Sequence, residues 1–166
     1  MTDAPQSSAA EPRLITLGCR LNTYESEARR MRPDIAFGAD LIAGFPTETE
    51  AMFQQSIDLI DACDLAYLHV FPFSPRHGTP AARVSQVARP VVKERAARLR
   101  GKGAEALVRH LTQHVGRMED VLMERNGTGR TLDFSEIEVP GAAFGNLVRS
   151  RVIGVAGMRL IGEVLA

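Results

Sequence analysis

The chain has 166 residues, 20 Lys+Arg against 20 Asp+Glu, 45% apolar and 24% charged side chains, a globular composition that excludes a disordered polyelectrolyte and a fibrous repeat. Two cysteines, Cys19 and Cys63, exclude a disulfide scaffold and fit a reduced, cytoplasmic setting. No window approaches the roughly 18 unbroken apolar residues of a membrane span.

Residues 1–12 read as a loose tail, with Pro5, Ser7, Ser8 and Pro12, no periodicity and no apolar leader region. Arg13 to Leu17 is a short apolar run of strand type ending at Gly18. Asn22 or Thr23 caps a helix through Glu25, Ala28 and Met31, which stops at Arg32-Pro33 because proline disfavours helical geometry in the residue before it. Ile35 to Ala43 is a second strand run. The sequence Thr47-Glu48-Thr49-Glu50 has capping-box spacing and opens a helix with Phe53, Ile57 and Ile60 on one face. Leu65 to Phe73 is a third strand run, closed by the turn-rich Ser74-Pro75-Arg76-His77-Gly78-Thr79-Pro80. Residues 35–80 therefore read as a β-α-β unit with parallel strands.

Residues 91–113 read as a basic helix with Val92, Ala96, Leu99, Leu107 and Leu111 as its apolar stripe and Pro90 at its start. Gly101 and Gly103 mark a bend or break in its middle. From Val115 the texture changes to short strand runs at 121–123, 137–139, 147–153 and 160–164. They are punctuated by Asn126-Gly127, Pro140-Gly141 and Ala156-Gly157, the pattern of a small β-barrel or sandwich, and about 50 residues suffice for a five-stranded barrel that packs on a neighbour.

Charge is unevenly placed. Residues 32–88 carry three basic and seven acidic side chains, net −4, whereas residues 89–112 carry seven basic and two acidic, net +5. Such a stretch is either a polyanion-facing surface or a solvated helix face. Among the histidines, His69 reads as a strand core residue. His110 and His114, at i and i+4, share a helix face and have metal-binding spacing, but without a third ligand or a carboxylate between them they read as a surface pair. Cys63 reads as packing at a helix end. The loops Gly44–Thr49 and Phe73–Pro80 both follow parallel strands, at the sheet edge where α/β folds bind ligands.

Three segments, in this order, resemble the radical-SAM tRNA methylthiotransferases. Leu17-Gly18-Cys19-Arg20-Leu21-Asn22-Thr23-Tyr24-Glu25-Ser26-Glu27 is similar to their amino-terminal signature, nearest the branch acting on threonylcarbamoyladenosine (the MtaB type). Ala39 to Thr49 and Phe71 to Ala82 resemble late strands and loops of their barrel, and residues 115–166 their C-terminal TRAM domain. The resemblance implies this organisation: residues 1–12 a tail, 13–32 the first β-α element of the amino-terminal domain, 33–112 the later part of a partial TIM-type barrel with the basic helix, and 113–166 an RNA-binding all-β barrel.

The family's chemistry uses two 4Fe-4S clusters and S-adenosylmethionine, with one cluster on a Cys-x3-Cys-x2-Cys triad and the other on three amino-terminal cysteines. Cys19 matches one of the latter. The triad is absent, so the chain is expected to be internally shortened near Met31-Arg32-Pro33 and inactive by itself; the alternatives are a non-catalytic tRNA- or RNA-binding accessory protein and a non-functional remnant. By the same resemblance Gly44, Phe45, Pro46, Glu48 and Phe73 face the adenosylmethionine pocket, with weak binding expected. Lys93, Arg95, Arg98, Arg100, Lys102 and Arg109, with Arg149, Arg151 and Arg159, are the expected phosphate contacts to tRNA. A homodimer or a complete paralogue would cover the barrel edges that the shortening exposes.

Overall fold

The computed structural model describes residues 27–32 and 34–164, in two compact units, Met1–Ile35 and Ala36–Ala166. The tail, the Arg13–Leu17 run and the signature up to residue 26, with Cys19, lie outside the described residues. In the first unit residues 27–31 are helical and Arg30 donates to the Glu27 carboxylate across one turn, at 3.0 Å from Nε.

The second unit runs β1 (Phe37–Ala43), α1 (Glu50–Ala62), β2 (Leu65–Pro72), α2 (Pro80–Arg83), α3 (Arg89–Thr112), then β3 (Met118–Arg125), β4 (Thr128–Arg130), β5 (Glu136–Glu138), β6 (Leu147–Ala156) and β7 (Arg159–Val164). It is a mixed α/β architecture. Strands β1 and β2 pair in parallel, with Asp40 opposite His69 and Ile42 opposite Phe71. The other five strands close a barrel in the order β3-β4-β5-β7-β6.

Two hydrophobic cores result. Ala43, Phe53, Ile60, Ala96, Leu99 and Ala106 pack where α1 and α3 cover one face of the β1–β2 pair. Val121, Met123, Ile137, Val139, Val152 and Leu160 fill the barrel, and Leu111 of α3 joins them. Helix α3 thus supplies both cores, because its apolar stripe at i, i+4, i+7 spacing continues past the end of the sheet.

The structure revises four local expectations. Helix α1 starts with Thr49, not Thr47, as its cap: the Thr49 hydroxyl accepts from Met52 N at 3.2 Å. Glu50 does not turn back into a capping box because it is bound by arginines of α3. His69 is exposed rather than in a core, since helices cover only one face of a two-stranded sheet. Cys63 is exposed at the C-cap of α1 instead of packed.

Helix α3 runs unbroken through both glycines. Gly103 is buried, and a Cβ there would stand 3.1 Å from Leu68 Cδ1, so this glycine lets the helix lie close on β2. Gly101 faces open space. Gly101→Ala should therefore stabilise the fold by about 0.5–1 kcal/mol through helix propensity. Gly103→Ala should lose that gain to crowding against Leu68 and leave the melting temperature unchanged or lower, as thermal melts of the two variants will show.

Candidate functional site

The loop after β1 begins at Gly44, which holds a left-handed φ of +79°. A Cβ at this position would lie 2.6 Å from Val92 Cγ2, so only glycine fits against α3. Its N–H donates to Glu48 Oε2 at 2.8 Å. That same carboxylate oxygen receives Arg95 Nη1 at 2.8 Å, and Arg95 Nη1 also donates to the Glu48 carbonyl at 3.0 Å. Both side chains are buried, 6% exposed for Arg95 and 11% for Glu48. The expected cofactor-facing carboxylate is therefore already satisfied by its own loop and by α3. Phe45 and Phe73 meet edge to face with centroids 5.2 Å apart, joining the two loops at the carboxyl end of the sheet. The expected pocket residues Gly44, Phe45, Glu48 and Phe73 do converge at one sheet edge, and what they present to solvent there is aromatic surface.

The remaining helix cations are drawn into the same electrostatic fabric. Arg95 Nη2 reaches Glu50 Oε2 at 3.0 Å and Arg98 Nη1 reaches Glu50 Oε1 at 2.7 Å. The hydrogen bond from Arg98, against a smaller desolvation effect, holds the Glu50 carboxyl below its usual range. The two guanidinium groups lie over the buried Phe53 ring, 5.3 and 4.6 Å from its centroid. One turn or more further along, Lys102 and Arg109 bind the two oxygens of Asp61, at 2.5 and 3.2 Å. Lys102 holds the Asp61 carboxyl below its usual range. So the net +5 stretch faces the acidic α1. Four of the six expected helix contacts to RNA are ion-paired inside the protein; Lys93 and Arg100 are exposed, and Arg100 donates to the Val70 carbonyl at 3.4 Å.

On the barrel, Arg149 and Arg151 stand on the outer face of β6 with Leu147. Arg149 is 70% exposed and only distantly paired, 3.8 Å from Asp120. Across the ladder Leu122 lies opposite Leu147, and both are well exposed. Arg159 instead pairs with Glu136 at 3.3 Å.

No family model matches the chain. Over 128 residues it is 42% identical to the threonylcarbamoyladenosine tRNA methylthiotransferase MtaB of Rickettsia prowazekii, covering 76% of this chain and 30% of that protein. It is 35% identical over 148 residues to the tRNA-2-methylthio-N(6)-dimethylallyladenosine synthase of Ruegeria pomeroyi, 82% of this chain and 33% of that protein. Over that stretch the chain belongs to the MtaB/MiaB family. MtaB of Thermotoga maritima matches 97 residues at 37% identity, 58% of this chain and 22% of that protein. The chain spans about a third of the length of the first two of these MtaB/MiaB relatives.

The cysteines of this sequence do not fit the iron–sulfur clusters expected from the resemblance. Each needs at least three thiolates around iron, and this sequence holds two cysteines in all, of which Cys63 lies exposed at a helix end.

The buried Arg95–Glu48 contact and the exposed Arg98–Glu50 contact should separate cleanly by mutation. Arg95→Ala leaves a buried carboxylate without its partner and should cost about 3–5 kcal/mol. Arg98→Ala should cost far less, because its pair is solvated. Urea-unfolding midpoints of the two variants measure the difference.

Proposed function

We propose that this chain is an internally shortened tRNA methylthiotransferase of the threonylcarbamoyladenosine branch that has kept an RNA-binding TRAM-like barrel and lacks the means to run the radical reaction by itself. The observation that carries the proposal is the pairing of 42% identity to MtaB with a sequence of only two cysteines. A three-thiolate cluster site cannot be assembled from them. S-adenosylmethionine would then lack the iron that anchors its methionine end. At the Gly44–Glu48 edge the polar groups already serve Arg95, so it would meet chiefly the Phe45 and Phe73 rings, which supports weak binding at best.

The sheet supports the shortened-barrel part of this proposal. The β1–β2 pair has helices on one face only. Ile42 and Phe71 stand on the other, 57% and 51% exposed, where neighbouring strands of a complete radical-SAM barrel would enclose them. In the cell a second copy or a complete paralogue would pack there. tRNA as the partner and the absence of any helix among the described residues that is long and apolar enough to cross a membrane agree with work in the cytoplasm.

RNA binding is assigned to the outer face of β6. Arg149 and Arg151 supply charge and the flanking Leu147 and Leu122 supply apolar surface, with Lys93 and Arg100 of α3 as secondary contacts. Phosphate contacts of this kind give affinity and salt dependence without sequence choice.

Fluorescence anisotropy with labelled tRNA across a salt series tests the binding arm. The wild type should bind weakly at low salt, and the double variant Arg149→Ala/Arg151→Ala should reduce the slope of log K against log salt by about 2. No anisotropy change at low salt would remove RNA binding. Anaerobic reconstitution with iron and sulfide tests the catalytic arm: no inorganic sulfide should be retained by the chain, and a four-iron cluster that cleaves adenosylmethionine would overturn it.

A further inference from the structure

Away from the cofactor edge and the β6 face, three side chains from distant parts of the chain converge on one point. His110 and His114 lie one turn apart at the end of α3, and Asp133 sits in the turn between β4 and β5. His110 Nε2 is 2.6 Å from Asp133 Oδ2, His114 Nε2 is 3.2 Å from the same oxygen, and the two ring nitrogens are 3.4 Å apart. The side chains are 15%, 10% and 15% exposed. We propose that His110, His114 and Asp133 form a binding site for one divalent transition-metal ion of the zinc class, clamping the end of α3 to the barrel.

The donor set suits that ion class. Two imidazole nitrogens and one carboxylate oxygen are the ligands zinc takes when three come from protein and a fourth position stays open to water. A tetrahedral ion with bonds of about 2.0–2.1 Å separates its ligand atoms by about 3.3 Å. The Nε2–Nε2 and His114–Asp133 distances already have that value. Only the His110–Asp133 contact, now a hydrogen bond, must open, by about 0.7 Å to reach the same spacing. An ion equidistant from the three atoms would stand about 1 Å out of their plane.

The surroundings hold these ligands as metal sites require. His114 Nδ1 lies 2.8 Å from Glu119 Oε1 on β3. A carboxylate at that nitrogen keeps the Nδ1–H tautomer and turns the Nε2 lone pair inward. The other Asp133 oxygen, Oδ1, is held by the Thr131 hydroxyl and by Ser135 N–H, the latter at 3.3 Å. Ser135 Oγ donates to Asp133 Oδ2 at 3.1 Å and lies 2.9 Å from Tyr67 OH of β2. The turn that carries Asp133 places Phe134 at a left-handed φ of 68°, a conformation disfavoured for a bulky side chain and maintained here by the bonds on either side of it. The outward nitrogen of His114 and the second oxygen of Asp133 therefore each have a partner that fixes them. Loading displaces any proton from the two Nε2 atoms into solvent, leaving neutral imidazoles and one carboxylate around the ion.

The test is zinc titration of the chelator-stripped full chain at pH 7.5 against a chromophoric competitor, with Co²⁺ as a second probe read by visible absorption. One equivalent of zinc should bind the wild type, and cobalt should give ligand-field bands. His110→Ala/His114→Ala should weaken zinc binding at least about 100-fold and abolish the bands. Glu119→Gln, which leaves the ligands in place, should weaken binding about 10-fold while keeping the far-ultraviolet circular dichroism of the wild type. The wild type alone decides the matter if a variant fails to fold: less than half an equivalent bound at 100-fold excess zinc would overturn the proposal. Equal affinity in wild type and double variant would overturn it too, by placing the ion at Cys63 or another exposed donor.

Discussion

One helix is asked to finish two hydrophobic cores. Ala96 and Leu99 of α3 close the small sheet, and Leu111, three turns on, closes the barrel. Everything else in the second unit is arranged around that continuity. Gly103 removes a side chain where β2 must approach, and Gly44 does the same where the β1 loop must pass Val92. Were α3 to bend at its glycines, the two cores would lose their common wall, and Tyr67 and Ser135 would no longer meet across them.

The helix also resolves the uneven charge of the chain. A net −4 stretch followed by a net +5 stretch looks, in one dimension, like a surface waiting for a polyanion. In three dimensions the two stretches are partners. Glu48, Glu50 and Asp61 take up Arg95, Arg98, Lys102 and Arg109, and Phe53 lies under two of the guanidinium groups. Burial of the Arg95–Glu48 pair makes it a fixed element of the fold, since separating two desolvated charges costs far more than their attraction nets on formation. On the outer face of β6 the arginines alternate with inward-facing barrel residues and so stand together on one side.

At the carboxyl edge of the small sheet Phe45 packs against Phe73, and the Glu48 carboxylate serves α3. The barrel is complete and needs no further strand, so its outer surface stands without the rest of a larger enzyme.

The sequence alone determined the β-α-β unit, the parallel pairing, the apolar stripe of α3 and the barrel with its Asn126-Gly127, Pro140-Gly141 and Ala156-Gly157 turns. All of these are local, set by periodicity and turn chemistry over a few residues. It also announced, by the motifs along the chain, the family that the relatives bear out. What the tertiary structure decided is everything that depends on residues far apart. His110 and His114 showed a shared face but gave no hint of Asp133 on a later turn, and the basic helix gave no hint that α1 would neutralise it. His69 and Cys63 read as buried because apolar neighbours surround them in sequence, whereas only packing settles which face of a strand or end of a helix is covered. Side-chain spacing within an element follows from backbone geometry. Which elements then face each other follows from how the two cores close, and no short window of the sequence contains that information.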